Sequence, residues 1–296
     1  VRSANATTAN ATTANAIPEN AIPENAISAN AIPADGTAEK DNPATKNTPS
    51  RKTNSTRMKT VLILGANSDT AKEALALYVR QGHQVIAASR TLSEVDEFIK
   101  TRNLPEDKVI TRHFDATAFA DHAAFYAGLP AKPHIVLYAA GFQVTNEEAL
   151  RSWEGSYRMI NVLYAGAVSI LNIIAMDNGN KNLERIVGLS SLSGIRGRKS
   201  NFIYGSTKAA FTTYLAGLRQ LLAPRNITVN AIISGYINSK LTAHLDLPKN
   251  LLMEPAFIAR HIVHAPKRFA IVPGFKWKII YTILKILPES LVAKFP

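Results

Sequence analysis

Residues 60–71 read Thr60-Val61-Leu62-Ile63-Leu64-Gly65-Ala66-Asn67-Ser68-Asp69-Thr70-Ala71, a short apolar run that stops at a glycine-bearing turn. A run this short and this apolar suits a strand buried on both faces. The turn opens onto Asp69–Gly82, where Ala71, Ala74, Leu75, Leu77, Tyr78 and Val79 recur at helical spacing and form an inner face. A second apolar strand, Gln84–Ala88, follows at once. Strand, helix and strand in so short a stretch form a βαβ unit, and such a crossover makes the two strands parallel.

The same alternation continues along the chain. Helix is expected over Leu92–Arg102, strand over Lys108–Phe114, helix over Ala118–Leu129 and strand over His134–Ala139. Glu147–Met176 supplies one or two helices, Arg185–Leu189 a fifth strand, Phe202–Leu222 a long helix and Thr228–Ile233 a sixth strand. Phe269–Pro273 reads as a last strand at the sheet edge. The fold class is therefore α/β, a doubly wound parallel sheet covered on both faces. Ligands of such sheets bind beyond the carboxyl ends of the strands, so functional residues are expected just after strands.

Gly65, Asn67, Ser68, Asp69 and Thr70 occupy the first such position. Backbone N–H groups of a glycine turn can approach a pyrophosphate, and the helix dipole favours that anion. Only one glycine stands where a dinucleotide fingerprint has three, and Asp69 can equally be a helix cap. The second strand ends in Ser89-Arg90. A small residue followed by Arg suits a ribose 2′-phosphate, hence NADP, with NAD as the alternative; a solvated Arg at a loop start is the plainer reading.

The fifth strand runs into Ser190-Ser191, and the long helix carries Tyr204-Gly205-Ser206-Thr207-Lys208. Residues four apart share a helix face, so Tyr204 and Lys208 project together. A neighbouring ammonium lowers a phenol's pKa, which lets the phenol trade a proton with a substrate oxygen. A serine hydroxyl nearby can hold that oxygen as charge moves. By itself a Tyr-x-x-x-Lys pair is equally a surface helix pair.

The pair does not stand by itself, and residues 59–240 resemble the short-chain dehydrogenase/reductase family in the order and spacing of several motifs. The resemblance implies a single Rossmann-like domain over residues 58–273, binding a nicotinamide dinucleotide and moving hydride to or from a carbonyl carbon. The family's Tyr and Lys match Tyr204 and Lys208, its serine matches Ser191, and its helix asparagine, which supports a water relay, matches Asn161. Its segment after the fourth strand matches Ala139-Ala140-Gly141, and its adenine-contacting acid matches Asp115, followed by Ala116. Asn230–Thr242, which includes Gly235 and Ile237, resembles the loop covering the nicotinamide. Asp69 and Ala71 replace two turn glycines, Tyr138-Ala139 stands where Asn-Asn is usual, and Ser234 replaces a proline. Each departure touches the cofactor's surroundings and none touches Tyr204 or Lys208. The resemblance also implies a homodimer or homotetramer. A dinucleotide-binding regulatory or scaffolding protein without turnover is the competing reading, and loss of Tyr204 or Lys208 would have favoured it.

The flanks differ from this domain. Residues 1–57 begin with five-residue repeats such as Ala-Asn-Ala-Ile-Pro and turn polar, with no apolar face to bury, so a disordered low-complexity tail is expected. Met58 directly precedes the first strand, and translation starting there is one account of the tail. There is no cysteine, which excludes disulfides, thiolate metal sites and cysteine nucleophiles; no metal site is expected, and a reducing cytoplasm fits. The net charge is +12. Residues 260–296 hold seven Lys or Arg against one acid, Glu289. Within them, 274–296 is apolar and lysine-bearing, with Trp277 and Tyr281, and is too short to span a bilayer. An amphipathic extension in peripheral contact with the inner membrane surface suits that chemistry, as does a helix closing over the substrate site or a subunit interface. No groove-reading or base-stacking motif accompanies the charge, so nucleic acid is not expected as a partner. The ending also resembles the branch containing decaprenylphosphoryl 2-keto-ribose reductases, which implies a lipid-linked carbonyl substrate as the alternative to a small-molecule one.

Overall fold

The computed structural model describes residues 57–294. The tail expected over residues 1–57 thus lies outside the described residues, apart from Arg57.

Seven strands form one sheet: β1 Thr60–Leu64, β2 Gln84–Ser89, β3 Val109–His113, β4 Ile135–Tyr138, β5 Arg185–Ser191, β6 Thr228–Ser234 and β7 Ala270–Ile271. Their spatial order is β3-β2-β1-β4-β5-β6-β7, and every pairing is parallel. Chain direction across the sheet reverses between β1 and β4, which opens the crevice where such sheets bind ligands. Strand residues alternate between two cores. Leu62 and Leu64 point into one and Val61 and Ile63 into the other, all fully buried.

The second core is covered by α1 Asp69–Arg80, α2 Ser93–Thr101 and α8 Pro255–Val263. The first is covered by α3 His122–Ala127, α6 Gly166–Met176, α7 Phe202–Leu222 and α9 Phe275–Ile286. The helix expected over Ala118–Leu129 is shorter than its apolar pattern. A 3₁₀ turn at Phe119–Asp121 precedes α3, and Gly128 closes it. The Glu147–Met176 stretch breaks once. α4 Asn146–Arg151 ends where Ser152 turns extended, and α5 Trp153–Ile160 then runs through a π turn at Asn161–Ala165 into α6. Trp153–Met176 is long and apolar enough to cross a membrane, but Gly166, Ala167, Ile170, Leu171 and Ile174 are buried in the domain.

Residues 274–294 of the C-terminal extension pack onto the domain. Trp277 is 6% exposed and its indole N–H donates to the Leu251 carbonyl at 3.0 Å, while Ile280, Tyr281 and Leu284 lie against the first core. A short α10, Glu289–Val292, follows and buries Val292.

Candidate active site

At the β1/β4 switch point the strand ends line a cleft of about 420 Å³. Gly65 sits at its floor with φ +87°, a conformation that L side chains rarely adopt. A Cβ there would fall 2.3 Å from the Ala140 backbone nitrogen, so glycine is needed for close approach as well as for the turn. Ser68 caps α1 with its backbone, and no side chain occupies the first turn's free N–H groups. Asn67 donates through Nδ2 to the Thr91 carbonyl at 2.8 Å, and its Oδ1 is buried without a partner. Asp115 accepts from the backbone and hydroxyl of Thr117, both at 2.8 Å. Its carboxyl lies below the usual range: burial pushes it up, and the two Thr117 hydrogen bonds with Arg90 and His113 outweigh that.

Fifteen of the residues expected around a cofactor line this cleft together: Gly65, Asn67, Ser68, Asp69, Thr70, Ser89, Arg90, Asp115, Ala116, Ala139, Ala140, Gly141, Tyr204, Lys208 and Ile237. Gly235 does not. A Cβ on it would sit 2.0 Å from the Trp277 indole, so this glycine makes room for α9 instead. Asp69 is at the cleft, but its carboxylate is engaged by the Lys240 backbone N–H at 2.8 Å.

A second cavity, about 1320 Å³, opens on the other side of Tyr204. Its walls are mainly apolar and come from Leu150, Met159, Leu241, Leu245, Leu247 and, on the C-terminal helices, Ile280, Ile283, Leu284, Leu287 and Val292. Tyr204 lines both spaces, and Ser191 lines the larger one. Ser191 follows the hydrogen-bonded register of β5 and accepts from the Ser193 N–H at 3.1 Å, which fixes its hydroxyl beside the Tyr204 phenol. Lys208 is 5% exposed and donates through Nζ to the Leu189 carbonyl at 2.9 Å; that nitrogen is 5.8 Å from the Tyr204 ring centre.

Burial governs both pKa values. It pushes the Tyr204 phenol up to about 12, with Ser191 pulling the other way, and pulls Lys208 down to about 8. The lowering by ammonium expected from the helix spacing is not the dominant influence, because burial disfavours both charged forms. Asn161 opens the π turn and lines a separate crevice beside Arg90, Thr117 and Arg158, not the cleft of Tyr204 and Lys208.

Sequence reasoning missed Arg158 and Glu94, and placed Ser234 and Lys240 only as members of the Asn230–Thr242 loop. Arg158 stacks over Phe142 at 4.1 Å and reaches the cleft from α5. The Ser234 hydroxyl, in place of a proline, donates to the Ser190 carbonyl at 3.1 Å and ties β6 to β5 at the cleft. Arg158 and Glu94 carried no motif; the signals for Ser234 and Lys240 were the loop resemblance and the proline-to-serine departure.

The family model for short chain dehydrogenases matches residues 59–250. The chain belongs to that family. This short chain dehydrogenase is 25% identical over 238 residues to an uncharacterized oxidoreductase of Myxococcus xanthus, covering 79% of this chain and 94% of the relative. It is 26% identical over 242 residues to an uncharacterized oxidoreductase of Mycobacterium tuberculosis, covering 80% of this chain and 96% of the relative. Its fold is that of a Burkholderia cenocepacia short chain dehydrogenase solved in complex with NADP, with a TM-score of 0.67 at 18% identity, covering 79% and 95% of the two chains. An actinorhodin polyketide ketoreductase solved with NADPH superposes with a TM-score of 0.63 at 16% identity, covering 73% and 95%. The short chain dehydrogenase fold and the oxidoreductase class are thereby established.

Proposed function

We propose that this short chain dehydrogenase is an NADP-dependent carbonyl reductase whose substrate lies in the apolar cavity. One observation carries the reading: Tyr204 lines both the polar cleft at the switch point and the large apolar space behind it. A proton donor on that shared wall can serve a carbonyl in one space while the other holds a dinucleotide. The residues fit such a cofactor. Gly65 leaves a cradle that a Cβ would fill, the start of α1 offers free N–H groups, and the buried Asn67 Oδ1 lacks a partner. Arg90 is exposed at the end of β2, acts on Asp115 only through space, and suits a 2′-phosphate; NAD is the alternative.

The bound cofactor would supply the hydride. The chain's own residues handle the proton. With its pKa pushed up to about 12, Tyr204 is a neutral phenol at pH 7 and can donate to the oxygen that gains charge as the carbonyl is reduced. Ser191 holds that oxygen by a hydrogen bond. Lys208 is charged below about pH 8 and stabilises the resulting phenolate from the same helix face. Asn161 supports the helix turn beside this group.

The volume and apolar walls of the larger cavity support a substrate with a long hydrocarbon portion, in keeping with a lipid-linked keto-sugar. α9 is its wall on one side and carries Phe275, Ile279 and Ile286 exposed on the other, with Lys276, Lys278 and Lys285 alongside. That combination suits peripheral contact with an anionic membrane. Exposed Trp153, Tyr157 and Ile160 on α5 suit a contact with a second copy of the chain.

The test is to follow oxidation of NADPH and NADH with ketones of increasing chain length. Faster turnover with NADPH and with longer chains is expected; if neither dinucleotide binds, the reading fails.

A further inference from the structure

Asp69 and the loop after β6 are 171 residues apart in sequence and meet across the mouth of the cofactor cleft. The Asp69 Oδ2 accepts the Lys240 backbone N–H at 2.8 Å. The Lys240 ammonium pairs in turn with Glu94 at the start of α2, and Glu94 also pairs with Lys72 on α1 at 3.5 Å. Asp69, Glu94 and Lys240 all line the cleft. The loop end is stiffened locally, since Thr242 Oγ1 donates to the carbonyls of Ile237 and Ser239. These contacts join the turn that begins α1 to the loop that separates the cleft from the apolar cavity.

We propose that Asp69 is a latch: it holds the 237–242 loop shut over the cleft and sets the rate at which a dinucleotide leaves. The latch rests on the dinucleotide reading above for its ligand, though not for its existence. A glycine at this position would have no acceptor to offer the loop. The carboxylate trades turn freedom for a charge-assisted hydrogen bond to a backbone N–H, which is stronger than a neutral one. The Lys240–Glu94 pair is half exposed and contributes less, in a salt-dependent way, while Lys72 meets Glu94 from a largely buried position. Their role is to return the loop to register after each opening. Asp69 is thus a positioning residue that acts through Lys240, and it faces the loop rather than a phosphate.

Two measurements on the full chain test this. The first is hydrogen exchange in peptides covering 236–245 without cofactor. Asp69→Ala should lose protection there, and Asp69→Asn, which keeps an acceptor oxygen, should retain most of it. The second is stopped-flow displacement of NADPH. Release should be about tenfold faster in Asp69→Ala, close to wild type in Asp69→Asn, and a few-fold faster in Glu94→Gln, the last difference vanishing in high salt. Unchanged exchange in Asp69→Ala, or equal release from all variants, would overturn the latch. If NADPH does not bind, the dinucleotide reading and the gating of release both fall, while the exchange measurement still decides whether Asp69 holds the loop.

Discussion

The polar cleft and the apolar cavity share Tyr204 but are built from different materials. Strand ends and the turns after them line the cleft, so the hydrogen-bonded register of the sheet sets its geometry. The cavity is walled by α4, α5, the loop after β6 and, on one side, α9 and α10, which side-chain packing around Trp277 holds in place. Register confines chemistry to fixed points, whereas packing shapes a volume. Fixed points suit the placing of reacting groups, and a packed volume suits the shape of what binds there.

Tyr204→Phe should break the shared wall most severely. It removes the proton but not the ring, so turnover should fall by about 10²–10⁴-fold while dinucleotide binding, read by fluorescence titration, stays near wild type. Loss of binding together with turnover would mean that Tyr204 holds the cleft's shape rather than serving the chemistry.

Trp277→Ala strikes the packed side. Deleting a buried indole should cost about 3–5 kcal/mol in denaturant unfolding and abolish any preference for long-chain ketones. A variant that kept both stability and chain-length preference would show that α9 is not the cavity's wall.

Lys208 gives a subtler contrast. Burial holds it near 8 in the folded protein against 10.5 when free. Between those values the unfolded chain binds more protons, so stability rises with pH there, and below about pH 8 the cost of the buried charge is fully present. Lys208→Met should remove that slope, a difference of about 2–3 kcal/mol between pH 8 and 10 relative to wild type. Parallel pH–stability curves for the two proteins would contradict the burial of this ammonium.

The smallest effect belongs to the outer face of α9. Ile279→Ser with Ile286→Ser should weaken flotation with anionic vesicles by roughly tenfold and leave folding intact, since both side chains are exposed. Equal flotation would remove membrane contact from the proposal.

Much of the cleft was legible in sequence because its chemistry rides on short-range spacing. Tyr204 and Lys208 share a helix face at i, i+4, and Gly65, Ser89 and Asp115 each stand where a strand ends. Contacts between distant segments were not legible. Gly235 was placed at the cofactor by analogy; it lines the apolar cavity, and Trp277, 42 residues later, fills the space where its Cβ would be. Asp69 had two local readings, cap or phosphate contact; its side chain makes no cap bond, and its carboxylate accepts from Lys240 on the far side of the cleft. Asn161 keeps its place on the helix, at the start of the π turn, and lines the crevice beside Arg90, Thr117 and Arg158.

The amino-acid sequence by itself determined the α/β alternation, the parallel sheet, the helix that carries Tyr204 and Lys208, and the turn at Gly65. Each follows from apolar periodicity or from a backbone conformation that few residues adopt, and both are local properties. Only the tertiary structure decided that Tyr204 faces two cavities, that burial outweighs the ammonium in setting its pKa, and that a basic, apolar ending becomes a wall of the larger cavity. Those outcomes depend on desolvation and packing between segments far apart in the chain, and no short window of sequence contains both partners.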